Sequence, residues 1–118
     1  IHDGKNRKIK ISSSYDVVYF SSIQIDLYRQ TQQLESQCYD TIPKDLLCPI
    51  TQSIMIDPVI TCNGETYEKY AIQKWFRKNN CKKDPLTNKR LKNKKLLPNF
   101  VLSRLIRSYV ENYNTTKK

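Results

Sequence analysis

The chain has 118 residues, 38% of them hydrophobic and 27% charged, with four cysteines and a formal net charge of +10. This is the composition of a folded domain with one small core, and no apolar run approaches the roughly 18 residues that a membrane span requires. Unevenly spaced cysteines in a lysine-rich chain read as reduced thiols rather than a disulfide framework, which points to an intracellular protein of the cytoplasm or nucleus.

In chain order, the first legible signal is Ser21 followed three residues later by Gln24. This is a capping box, with Phe20 and Ile25 at the flanking hydrophobic-staple positions. It predicts a helix over residues 22–37 with Ile23, Leu27 and Leu34 on one side. Residues 1–40 therefore read as an N-terminal extension or part of an upstream region. The chain begins with Ile1, as an excised fragment would. Asp40 to Pro43 reads as a linker, because Pro43 drives residue 42 into an extended conformation.

From Cys48 the pattern changes. Val59-Ile60-Thr61 and Glu65-Thr66-Tyr67 flank Asn63-Gly64, a hairpin signal. Ile72, Trp75 and Phe76 at helical spacing predict a helix from about Lys69 to Lys78, and Asn79-Asn80 then opens a loop carrying Asp84-Pro85. A second helix is expected to start near Asn99, after Pro98, with Leu102, Leu105, Ile106, Tyr109, Val110 and Tyr113 as its apolar stripe. The expected architecture is α+β: a hairpin, a central helix, two ordered loops and a closing helix.

Eight positions in this region keep a metal-scaffold rhythm: Cys48, Thr51, Cys62, Glu65, Glu68, Ala71, Asp84 and Thr87. They are separated by two, ten, two, two, two, twelve and two residues. Structural zinc takes four Cys or His ligands per site, and only Cys48 and Cys62 qualify, so no metal or other cofactor is expected. Thr51, Glu65, Glu68, Asp84 and Thr87 carry hydrogen-bonding groups, and a satisfied polar network can pin the loops instead.

The spacing follows the ladder of a cross-braced RING domain. The ordered set Ile42-Pro43, Leu47-Cys48-Pro49-Ile50-Thr51, Asp57-Pro58-Val59-Ile60, Gly64-Glu65-Thr66-Tyr67-Glu68, Ile72-Gln73-Lys74-Trp75-Phe76, Asp84-Pro85-Leu86-Thr87 and Leu97-Pro98-Asn99 resembles a U-box, the metal-free relative of the RING in ubiquitin ligases. The resemblance places the U-box at 41–113, followed by a basic tail at 114–118. It implies docking of a ubiquitin-charged conjugating enzyme, from which ubiquitin passes to a lysine of an unknown protein substrate. Such domains act by positioning, with no covalent intermediate on the ligase. Ile50 matches the first-loop hydrophobe, Trp75 a central-helix position, and Pro85 with Leu86 the wall of the second loop. Gln52 is often apolar in the family. Asn88 stands where an arginine often contacts both enzyme and ubiquitin; asparagine lacks that charge and reach. Some members dimerise, so a homodimer is compatible with the resemblance.

No residue supplies evident covalent chemistry. His2 is the only histidine, Cys48 and Cys62 read as small buried residues, and Cys81 lies in a basic loop without a partner base. Residues 1–40 carry five basic and five acidic side chains, so the net +10 falls in residues 41–118; ten basic residues lie between Lys74 and Lys95. A nucleic-acid surface is a third reading, behind a ligase module and a U-box that assembles partners without ligase activity. No aromatic residue interleaves Lys82 to Lys95, which argues against a single-strand stacking platform.

Overall fold

The computed structural model describes residues 7–10, 17–78 and 82–116. A two-stranded antiparallel ribbon comes first, with β1 (Arg7–Lys10) paired to β2 (Val17–Phe20) in the register Arg7 to Phe20. The sequence reading assigned nothing here. The run Val17-Val18-Tyr19-Phe20 alternates as a half-buried strand should, with Val18 and Phe20 inward and Val17 and Tyr19 outward.

Helix α1 (Ser22–Cys38) then starts on the expected capping box: Gln24 N–H donates to Ser21 Oγ at 3.2 Å, and Ser21 N–H to Gln24 Oε1 at 3.0 Å. Phe20 and Ile25 are both buried. The buried face is Ile25, Leu27, Thr31 and Leu34, a correction to the expected stripe, since Ile23 is 66% exposed. Ile23 shares the side of Leu27 and Leu34 but stands one turn before Leu27, in the first turn of the helix. The connector is packed and turned: Tyr39–Thr41 and Lys44–Leu46 form 3₁₀ turns, and Ile42 between them is extended and buried.

A three-stranded antiparallel sheet in the order β4–β3–β5 is the centre of the α+β unit: β3 (Pro58–Ile60), β4 (Thr66–Glu68) and β5 (Leu97–Pro98). Val59 faces Tyr67 on one side and Pro98 on the other. The hairpin turns through Cys62–Gly64, with Gly64 N–H donating to the Thr61 carbonyl at 2.9 Å and Gly64 at φ +87°. It is a three-residue loop with glycine in the left-handed position, not a two-residue Asn-Gly turn. The short strand β5 had no readable alternation, and its proline sits at a sheet edge, where a missing N–H is tolerated.

β4 runs directly into α2 (Lys69–Lys78), which buries Ala71, Ile72 and Phe76. Helix α3 (Phe100–Thr116) is capped by Asn99, whose Oδ1 accepts from Leu102 N–H at 3.0 Å while its Nδ2 donates to Thr66 Oγ1 at 3.1 Å. Ile106 and Val110 are its buried residues; Leu102, Tyr109 and Tyr113 are partly covered. Leu105 is 56% exposed, so it leaves the expected stripe: one residue before Ile106, it lies about 100° round the helix from it. α3 packs on α1, with Tyr113 donating its hydroxyl to Gln37 and Asn114 Nδ2 donating to Gln30 Oε1 at 2.6 Å. A continuous buried cluster runs from Val18 through Leu34, Ile72 and Leu91 to Val110, so α1 shares its core with the residues that follow.

Candidate functional site: two matched loops on one strand

Cys48-Pro49-Ile50-Thr51-Gln52 and Asp84-Pro85-Leu86-Thr87-Asn88 are the same loop built twice. In each, the first residue's side chain accepts from the amide two residues on: Ile50 N–H to Cys48 Sγ at 3.4 Å, Leu86 N–H to Asp84 Oδ1 at 2.8 Å. The first carbonyl accepts from the fifth amide, Gln52 to Cys48 at 2.7 Å and Asn88 to Asp84 at 2.8 Å. Each threonine hydroxyl accepts from the amide two residues further, Ser53 N–H and Lys89 N–H, both at 3.2 Å. A short antiparallel bridge closes each stem, Leu47 with Ile54 and Lys83 with Arg90.

The turn needs a left-handed residue at its fifth position, and Gln52 (φ +60°) and Asn88 (φ +62°) take it. A left-handed residue with a side chain costs roughly 1–2 kcal/mol, less for asparagine, whose short amide tolerates the conformation. That is a local reason for asparagine at 88 and makes Gln52 the more strained partner.

Consecutive residues of β4 hold the two loops. Tyr67 donates its hydroxyl to Asp84 Oδ1, which also accepts from Leu86 N–H and, at 3.1 Å, from Thr87 N–H. Burial, and then the Asp84 carboxylate, push the Tyr67 phenol well above its ordinary pKa. Asp84 Oδ2 is buried without a hydrogen-bond partner among the described residues. Next along β4, Glu68 N–H donates to Cys48 Sγ at 3.3 Å. The Glu68 carboxylate accepts from Ile56 N–H at 2.7 Å and Asp57 N–H at 2.8 Å. It is only 3% exposed, and loss of hydration lifts its pKa to about 7 against the lowering pull of those amides. Asp57 is also raised, by burial first, with Lys69 and Gln24 opposing.

Of the expected polar network, Cys48, Glu68 and Asp84 are buried and bonded across elements, while Thr51 and Thr87 act within their own loops. Glu65 takes part through its carbonyl, which accepts from Thr61 N–H at 2.9 Å. Cys62 corrects the expectation of a small buried residue. It sits in the hairpin turn, exposed, with Sγ 3.6 Å from the Asn93 carbonyl. Ala71 is buried. No cluster of three or more His, Cys, Asp or Glu suited to a metal occurs among the described residues.

The expected contact residues lie around this frame. Ile50 is 37% and Leu86 58% exposed, at matching positions of the two loops. Pro85 and Trp75 are half-buried, and Trp75 Nε1 donates to the Lys83 carbonyl at 2.8 Å, tying α2 to the second loop's stem. Gln52 and Asn88 are exposed. His2, Cys81 and the Asn79-Asn80 loop start lie outside the described residues, as do the last two residues of the basic tail. The sequence reading missed the loop duplication, although the repeat Cys/Asp-Pro-Ile/Leu-Thr-Gln/Asn was visible.

Residues 42–115 match the family model of the U-box domain. The chain belongs to the U-box family. Similar proteins include U-box domain-containing protein 11 of Arabidopsis thaliana, 37% identical over 90% of this chain, and protein 10 of the same plant, 38% identical over 87%. U-box domain-containing protein 12 of Oryza sativa subsp. japonica is 44% identical over 59%. The chain spans 18%, 17% and 11% of the length of these relatives. Among the described residues no helix is long and apolar enough to cross a membrane.

Proposed function

We propose that this U-box is a ubiquitin ligase module: it docks a ubiquitin-charged conjugating enzyme and promotes transfer of ubiquitin to a substrate lysine. The observation that carries the reading is the pair of matched loops, each presenting an exposed aliphatic side chain, Ile50 and Leu86, from a backbone fixed by its own hydrogen bonds. Together with Trp75 and Pro85 they would form a shallow apolar docking surface with a preformed shape, and preformed surfaces lose less entropy on binding. The ligase contributes position: the conjugating enzyme carries the thioester, the substrate amine attacks it, and the ligase forms no covalent intermediate with ubiquitin.

Asn88 favours a second reading, a U-box that assembles partners without activating transfer. Its side chain is uncharged, and its left-handed backbone suits asparagine better than arginine. Autoubiquitination with a panel of conjugating enzymes separates the two. Ubiquitin conjugates with at least one of them support the ligase reading; binding without conjugates across the panel supports the assembly reading.

A further inference from the structure

The two loops share their internal bonds, but the first is also gripped from behind by residues that precede the U-box match. In its stem bridge, Cys48 N–H donates to the Ser53 carbonyl and Met55 N–H to the Leu46 carbonyl, which leaves Ile54 N–H in a slot with no cross-strand acceptor. A buried amide needs a partner. Glu35 of α1 supplies it, Oε2 accepting at 2.8 Å. One turn later the Tyr39 hydroxyl donates to the Gln52 carbonyl at 2.5 Å. Gln52 is the left-handed residue that closes the loop. In the second loop, the counterpart of buried Ile54 is exposed Arg90.

We infer that α1 and the turn after it form a clamp on the docking loop, with Glu35 and Tyr39 as positioning residues that fix the presentation of Ile50 to the conjugating enzyme. The inference rests on the ligase-module reading above. A loop held in its binding conformation binds with its full intrinsic affinity, whereas a loop that visits other conformations binds in proportion to the competent fraction. The clamp therefore acts on docking and leaves the transfer step of the docked complex alone.

The test uses the whole chain and an unloaded conjugating enzyme that is active in the panel. Four variants are compared with wild type: Glu35→Ala with Tyr39→Phe, Tyr39→Phe alone, Glu35→Gln, and Gln30→Ala. The double variant should bind about fivefold more weakly, the worth of one net hydrogen bond. Its discharge rate at saturating domain should be unchanged, and amide exchange at Gln52 and Ile54 should be faster. Glu35→Gln keeps an acceptor for Ile54 N–H and should bind as wild type does. Gln30→Ala breaks the 2.6 Å bond to Asn114 on the same helix, away from the loop, and should also leave affinity unchanged. Tyr39→Phe removes a single exposed hydroxyl, so it reports on the clamp even where the double variant fails to fold. Wild-type affinity in the double variant and in Tyr39→Phe, or an equal loss in Gln30→Ala, overturns the clamp alone. A wild-type chain that binds no conjugating enzyme overturns the parent reading, and this one with it.

Discussion

Glu68 gives the domain an inverted pH dependence. Its carboxyl is 3% exposed, and burial raises it to about 7 in the folded chain against 4.5 for an ordinary glutamate. Between those values the folded chain keeps a proton that the unfolded chain has released, so stability falls as pH rises from about 4.5 to 7 and is then level. A displacement of this size corresponds to about 3 kcal/mol. For a domain of this length that is roughly 10 °C in melting temperature. Burial raises the carboxyls of Glu35 and Asp57 as well, so they act with the same sign. Glu68→Gln removes the largest contribution, but its amide offers one acceptor where Ile56 N–H and Asp57 N–H need two. The variant should be about 1–3 kcal/mol less stable than wild type at pH 5. Its stability should change much less between pH 5 and 7.5. Chemical denaturation of both proteins at half-unit intervals reads this directly. Wild-type stability that rises over the interval, or an undiminished slope in Glu68→Gln, would refute the argument.

Three further predictions concern the loops. Ile50→Ala should abolish conjugating-enzyme binding in a titration while melting shifts by no more than about 0.5 kcal/mol, as for an exposed truncation; a large melting shift with binding retained would place Ile50 in the core. Asn88→Arg should speed single-turnover discharge of ubiquitin onto free lysine several-fold at saturating domain, with little change in affinity for the unloaded enzyme. It should cost about 1 kcal/mol of stability for a longer side chain at φ +62°; equal rates would mean that another group fills the role. Elemental analysis of purified protein should find no stoichiometric zinc, and a chelator should leave the melting transition in place; one zinc per chain would refute this.

Much of the domain was legible because its signals are local. The Ser21/Gln24 box, the apolar residues of α2 and the start of α3 near Asn99 are each decided within one or two helical turns. The ladder from Cys48 to Thr87 located both loops, since spacing survives when ligand chemistry does not. What escaped depends on partners distant in sequence. β5 is two residues long and exists because β3 offers it an edge. Ile23 and Leu105 have the right composition for a helix stripe, but only the packed body decides which turn is covered. Cys62 was read inward from its ladder position, whereas the hairpin turn carries it to the surface. Glu35 looked like any helical glutamate until Ile54 N–H needed an acceptor.

Tyr67 and Glu68 are neighbours in a strand of three residues: the Tyr67 hydroxyl holds the second loop at Asp84, and the Glu68 backbone N–H holds the first at Cys48 Sγ. A slip of one residue would carry the phenol away from Asp84 and the Glu68 N–H away from Cys48, leaving neither loop with its anchor. The strand thus has no neutral alternative pairing, and both loops depend on it. They should be lost in one event, with probes on Trp75 and on the Ile50 loop tracing the same unfolding curve. The paired geometry would then be an all-or-none property of the molecule: a chain that forms one of the two loops forms both.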